Sequence, residues 1–557
     1  MIKNCKSCQI NFETTDEDLK FYDKVSPVIE NKKHQIPAPT LCPECRQQRR
    51  MVWRGERKIY HRNCDLCQKP IISIFDPKSP YTVYCRDCWW SDRWDPLSYG
   101  REFDFNKTFF EQFSELINST PLFATYNIEP TNSEYNNNTS YLKNCYLMSS
   151  SNFDEDCYYG YFNNDSKNCI DCTSIKRSEI CYECVECIDC YNCKYCRNSS
   201  NCVNSWFLEN CSSCKNCFGC VNLRQKEYCY FNEQLTKEEY ENKIAQFHSG
   251  SRQAITAMKN LVSIHRLKYP FPFMIGEKNE NVSGNCVFQS KDSHDCYDCI
   301  QVEDCKFCFQ LQNAKDCYDV MTWGRTGELF YECMGTGSNG YNNQFVAINA
   351  GGINNLYSYM CMNSKNIFGS VAMKKNTFCV FNKQYSEKDY SIIVEKIIQH
   401  MIKTREWGEF FPMSLSPFAY NEAIANDFIP LSKTDAEKIG ARWKENDTLK
   451  KAEKDMLNPP DDIANAPSDI TKKLLTCTTC NDNYRIIDQE ISFYQKYKIP
   501  VPTLCYQCRH KNRLHFKNPR KLWNRPCAKC KNTIQTSYAP ERPEIVYCKS
   551  CYLQEIY

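Results

Sequence analysis

The sequence predicts a mainly β protein with some helix, in which two short-period β-solenoids stand between cysteine-knuckle modules at the two ends. Three observations predict it: 41 cysteines in 557 residues, four widely spaced CxxC pairs at each end, and a twelve-residue recurrence of cysteine in the middle.

The N-terminal pairs are Cys5/Cys8, Cys42/Cys45, Cys64/Cys67 and Cys85/Cys88; the C-terminal pairs are Cys477/Cys480, Cys505/Cys508, Cys527/Cys530 and Cys548/Cys551. The last three pairs of each set align without a gap, and the intervening sequence repeats, IPAPTLCPECR at 36–46 returning as IPVPTLCYQCR at 499–509. A CxxC turn offers two thiolates to one ion, and two turns complete the tetrahedral all-cysteine shell that zinc favours in structural sites. Four structural zinc sites are therefore expected. Cys64/Cys67 with Cys85/Cys88, and Cys527/Cys530 with Cys548/Cys551, enclose 17 residues each, a zinc spacing. Spacing alone leaves the first site of each module open, since Cys42/Cys45 could also reach Cys64/Cys67 across 18 residues. Four thiolates leave no coordination position for chemistry, and no CxxC has the βαβ context of a redox motif.

The pattern CxxC, then Phe-Tyr, then PTLCxxCR resembles the treble-clef "probable zinc-ribbon" domain of small bacterial proteins, over Cys5–Arg50 and again over Cys477–Arg513. That resemblance implies that 5/8 pairs with 42/45, and 477/480 with 505/508. As a whole the chain resembles cysteine-rich multi-zinc-ribbon bacterial proteins, which implies no activity.

In the middle, CYECVECIDCYNCKYC at 181–196 has a cysteine at every third residue. Cysteines 145, 157, 169, 181, 193, 217 and 229 share one register of twelve, with Ser205 in the vacant slot. A period of twelve suits a β-solenoid coil of two short strands and two corners, rising about 4.8 Å per turn. Asn144, Asn168, Asn192, Asn204 and Asn216 precede the cysteine column as corner residues, and Tyr146, Tyr158, Tyr182, Trp206, Phe218 and Tyr230 follow it as an aromatic stripe. Free cysteine is a small buried hydrophobe, so the thiols read as core packing, ahead of a metal cluster or a disulfide lacing. KNCFGCVNLRQKEYCYFNEQLTKEEY at 215–240 recurs as KNIFGSVAMKKNTFCVFNKQYSEKDY at 365–390, so the solenoid is duplicated. Thr236 with Glu239, and Ser386 with Asp389, predict N-caps of amphipathic helices that close each coil stack.

The expected organisation is a double zinc-ribbon module at 1–100, a connector at 101–140, solenoid 1 at 141–235, a helical cap and connector at 236–284, and solenoid 2 at 285–384. A helical and extended segment follows at 385–457, then a linker at 458–470 with solvated Asp461 and Asp462, and a second double module at 471–557. The aromatic, proline-rich stretch after the second helix is expected to be extended on a domain surface.

A net charge of +3 hides two basic runs with interleaved aromatics, one after the second CxxC of each module. Arg46, Arg49, Arg50, Arg54 and Arg57 form the first; Arg509, Lys511, Arg513, Lys517, Arg520, Lys521 and Arg525 form the second. Cations among aromatics suit a phosphate backbone and unstacked bases, so nucleic acid, RNA or the ribosome before DNA, is the first expected partner. The alternative is a self-assembly or interaction scaffold joined through the aromatic stripe, possible as a homo-oligomer; metal storage stands third. No GxxxxGK[ST], HExxH or GxSxG occurs, so no enzyme is expected. With no apolar run of spanning length and no apolar leader, the chain reads as cytoplasmic and away from membranes.

Overall fold

From Asn127 to Tyr230, and again from Gly276 to Val380, the chain of this computed structural model winds into parallel coils. The structure describes residues 1–445 and 456–556, so 446–455 of the expected helical and extended segment lies outside the described residues. Rungs lie twelve residues apart, Tyr146 on Tyr158, Tyr158 on Ile170 and Ile170 on Tyr182. The coil differs from the expected two strands and two corners. Left-handed φ values recur at every third residue, Asn144, Leu147, Ser150, Phe153 and Asp156, so each coil has four sides of three residues. The residue after each corner points inward, the next forms the rung, and the third is the next corner.

A three-residue side admits one inward side chain, which answers the spacing of 181–196: cysteine holds every inward position there, and Cys181, Cys184, Cys187, Cys190, Cys193 and Cys196 are all buried. Each thiol also binds the wall of the coil. Cys157 Sγ lies 3.3 Å from Glu155 O in its own coil and 3.4 Å from Ser166 O in the next, its single S–H shared between the two carbonyls. In the second solenoid, Asn and Ser take over inward positions, as where Asn343 accepts from Asn355 N at 3.0 Å and donates to Gly352 O at 2.8 Å. Two of its coils carry one extra residue, Ala314 pairing with Gly327 and Glu328 with Tyr341. Corner asparagines ladder as expected, Asn192 onto Asn204 at 2.9 Å and Asn342 onto Asn354 at 2.9 Å.

Twelve helices frame the coils among the described residues: α1 (Asp16–Lys24), α2 (Pro43–Val52), α3 (Arg86–Trp90), α4 (Phe109–Ser119), α5 (Lys237–Ala245), α6 (Arg252–Arg266), α7 (Glu387–Thr404), α8 (Ala425–Phe428), α9 (Lys433–Lys438), α10 (Asp488–Tyr497), α11 (Tyr506–Leu514) and α12 (Lys549–Ile556). None of the described helices is long and apolar enough to cross a membrane. Thr236 caps α5 in a box with Glu239, and Ser386 caps α7 through Asp389 N, as predicted. A hairpin precedes each helix, Cys229–Tyr230 with Glu233–Gln234 and Thr377–Val380 with Lys383–Gln384, and closes the last coil.

Two segments depart from expectation. The aromatic stretch after α7 is core: Phe410, Phe411, Phe418 and Tyr420 are buried in one cluster with Trp53 and Tyr359. The expected linker is ordered against α6, where Asp461 accepts from Gln253 N at 3.0 Å and Ser251 Oγ at 2.5 Å, and Asp462 meets His248.

Candidate metal centres and the basic helices beside them

Each CxxC pair that begins a site sits in a tight turn whose next residue adopts left-handed φ: Gln9, Gln68, Asn481 and Lys531. In each turn the N–H of that residue returns to the first cysteine's carbonyl, as Gln68 N does to Cys64 O at 2.8 Å. The second pair of each site opens a helix, with Cys42, Cys85 and Cys505 as N-caps of α2, α3 and α11. Turn and helix bring four sulfurs together. Cys5, Cys8, Cys42 and Cys45 form one group, Cys64, Cys67, Cys85 and Cys88 a second, Cys477, Cys480, Cys505 and Cys508 a third, and Cys527, Cys530, Cys548 and Cys551 a fourth, each with all sulfurs within 4.8 Å of one another. Thus 5/8 meets 42/45, and 477/480 meets 505/508.

The first cysteine of each group is prepared as a thiolate. Burial raises the Cys5 thiol, but N–H donors from Cys42, Cys8 and Ser7 outweigh it and bring it down to about 6. Cys477 and Cys527 are likewise lowered to about 6 and Cys64 to about 7. Within these groups Cys508 is pushed up to about 12, burial first and Cys505 next among the causes, whereas Cys548 is lowered, chiefly by Ser550. Four sulfurs this close cannot all ionise without a cation between them, so the donor set fits a thiophilic metal ion. Among the described residues no group of solenoid cysteines converges in this way.

The basic residues beside these centres point inward. On α2, Arg46 and Arg50 stand one turn apart and both meet Asp319 of the second solenoid, at 2.9 and 3.0 Å. Arg50 also meets Glu332 at 2.7 Å, and Arg49 meets Glu332 at 3.0 Å and Glu409 at 2.8 Å. On α11, Arg509 and Arg513 meet Asp171 of the first solenoid at 3.2 and 2.6 Å. Arg509 adds Glu490 of α10 at 2.8 Å, and Arg513 donates to Tyr159 O at 2.9 Å. Arg46 and Arg509 each lie over a corner ring, Phe307 and Tyr159. All of these guanidinium groups are buried. Burial pulls Arg46 and Arg509 down, but Asp319 and Asp171 more than offset it and hold both well above the ordinary value.

The remaining cations continue the pattern. Arg54 meets Glu56 and reaches Ser150 Oγ at 2.7 Å. Lys517 stands where the solenoids meet, 3.0 Å from Glu186 of the first and 2.8 Å from Asp298 of the second. With Cys286, these two carboxylates form a cluster whose cation is the Lys517 ammonium. Arg520 packs against the rings of both Phe309 and Phe428, Arg57 reaches Ser149 Oγ at 3.4 Å, and Arg525 donates to Ala539 O and Glu544 O, each at 3.3 Å. Of the twelve cations expected to face phosphate, Lys511 and Lys521 are exposed. The aromatic stripe is also covered: Tyr182 packs on Phe493 and Tyr494, and Trp206 and Phe218 pack on Phe247.

The helix arginines therefore dock crosswise, α2 on the second solenoid and α11 on the first, while Arg54 and Arg57 also reach the first solenoid and Lys517 and Arg520 the second. The second cysteine group of each module joins in, Lys374 donating to Trp89 O at 3.0 Å and Tyr552 donating to Asn222 Oδ1 at 3.0 Å. Sequence reading missed the acceptors Asp171, Asp319, Glu332, Glu186 and Asp298. A signal did exist: Arg46/Arg50 and Arg509/Arg513 are matching positions of the duplicated module, and Asp171 and Asp319 are corner residues in both solenoids. No known family model matches the chain, and no curated protein matches it.

Proposed function

We propose that this protein is a non-enzymatic scaffold in which four structural zinc ions fold two treble-clef double modules, and the modules clamp a pair of solenoids into one body. The observation that carries it is the pairing of Arg46, Arg50, Arg509 and Arg513 with Asp319 and Asp171. Zinc is favoured by the all-thiolate donor sets, and the treble clef by the turn-then-helix supply of ligands. What remains open to a protein partner is the polar side of the coils, with charge ladders such as Lys143, Glu155 and Lys167.

Binding of RNA stands second, because docking uses most of the cations it would need. Lys511 and Lys521 would have to carry it. The test is affinity of the reduced, zinc-loaded protein for labelled single-stranded RNA across a salt series. The scaffold reading expects little binding and a shallow salt slope. A steep slope that flattens when Lys511 and Lys521 are reversed to Glu would return RNA to first place.

A further inference from the structure

Among the described residues, one side of the first solenoid forms ion pairs only along its own length. From Lys167 its rungs step by twelve through Glu179, Tyr191, Val203 and Lys215 to Glu227 without an inserted residue. Lys167 meets Glu155 at 3.0 Å and Lys215 meets Glu227 at 3.3 Å, whereas Glu179 forms no ion pair among the described residues. Tyr191, at the middle of the row, is 46% exposed. Two other sides are taken. The aromatic stripe lies under the C-terminal module and Phe247, and the side bearing Tyr161 lies against the second solenoid, where Gln310 donates to its hydroxyl at 3.2 Å.

The open row is its own complement. Turned end for end about a two-fold axis midway between Tyr191 and Val203, Glu179 of one copy falls opposite Lys215 of the other, and Lys167 opposite Glu227, because the members of each pair stand equally far from the axis. Tyr191 and Val203 then cover one another at the centre, an apolar middle inside a charged rim. The flanking corners oppose no like charges: Arg177 and Asp189 meet within one copy at 2.7 Å and fall opposite Ser213 and Asn201. A two-fold between Glu155 and Lys167 would also match charge, but leaves Tyr191 against Thr131 at the end of the row. We propose that the first solenoid binds a second copy of this chain, antiparallel and face to face, through the row from Lys167 to Glu227. The proposal rests on the scaffold reading, which leaves this polar side open. Six rungs about 4.8 Å apart span about 24 Å, a strip well short of the roughly 800 Å² per partner of a stable complex, so the dimer is weak, with a Kd on the order of 100 µM.

The test is sedimentation velocity of the full-length, metal-loaded protein, free of nucleic acid, from about 10 to about 300 µM. A concentration-dependent dimer is expected, weakened about tenfold as salt rises from about 0.05 to about 0.5 M. Glu179→Lys and Lys215→Glu each set like charges face to face twice, and each should weaken association about tenfold or more with metal content and circular dichroism unchanged. Mixed in equal amounts, the two variants regain both ion pairs, one chain bringing two lysines and the other two glutamates, so the mixture should dimerise like the parent. A monomer at every concentration, a dimer indifferent to either variant, or a mixture no better than its components would overturn the proposal. The scaffold reading is decided separately by RNA binding, so the two fail by different measurements.

Discussion

The N-terminal and C-terminal modules carry matching arginines but draw on different surroundings to hold them. Arg46 and Arg50 face Asp319 with Glu332 one coil further on, and Arg49 brings in Glu409 from the strap after α7. Arg509 and Arg513 face Asp171, yet Glu183, one coil further on, is taken by Lys259 of α6, and Glu490 comes from the module itself. Apolar burial differs as well. Trp53 is fully buried between Tyr359 and Phe411, whereas its counterpart Phe516 is 42% exposed under Arg197. A duplicated module thus keeps its central ion contact while its margins diverge, and the C-terminal copy is the looser one.

The largest effect that would break the comparison is metal removal. Structural zinc contributes on the order of 10 kcal/mol to small domains of this kind. Chelation of the reduced protein should abolish hydrogen-exchange protection over 1–100 and 471–557, the C-terminal module going first, while the inner coils keep theirs. Unchanged protection in both modules would refute the role assigned to the metal.

Next come the docking arginines. Arg50→Met leaves Asp319 and Glu332 short of a buried partner, and Arg513→Met leaves Asp171 so; each should cost about 3–5 kcal/mol in denaturant unfolding, with Arg50 the larger. A reversed order would show that the C-terminal interface is the tighter of the two.

A third, opposite effect separates the solenoids. Asp154 points into the first coil stack with Oδ2 unpaired, and burial pushes its carboxyl well above the usual range. The unfolded chain releases this proton near 3.8 and the fold only at higher pH, so Asp154 costs stability increasingly as pH rises above about 4. Asp154→Asn should stabilise by on the order of 1–3 kcal/mol at pH 7 and by almost nothing at about pH 3.5. Equal effects at both values would contradict a raised carboxyl. The smallest effect belongs to Lys511→Glu and Lys521→Glu, which should move stability by less than about 0.5 kcal/mol each.

Much of this architecture was legible because it is periodic. A repeat of twelve announced the coils, the capping pairs announced α5 and α7, and the duplicated CxxC sequence announced the modules and the cysteines that cluster in them. The four-sided coil was missed because cysteine spacing gives the inward positions and leaves the φ of Leu147 or Phe153 unseen. The destination of the basic helices was missed for a different reason. Arg513 and Asp171 are 342 residues apart, and a cation's local sequence reads the same whether it meets phosphate or a distant carboxylate.

The most direct test of the docking account is a double-mutant cycle on Arg513→Met and Asp171→Asn, read by denaturant unfolding of the metal-loaded protein. The account predicts that the double variant loses far less than the sum of the single losses, a coupling of about 2 kcal/mol or more. Additive losses would mean that the two side chains do not hold each other, and the basic helices would again be free to meet something outside the chain.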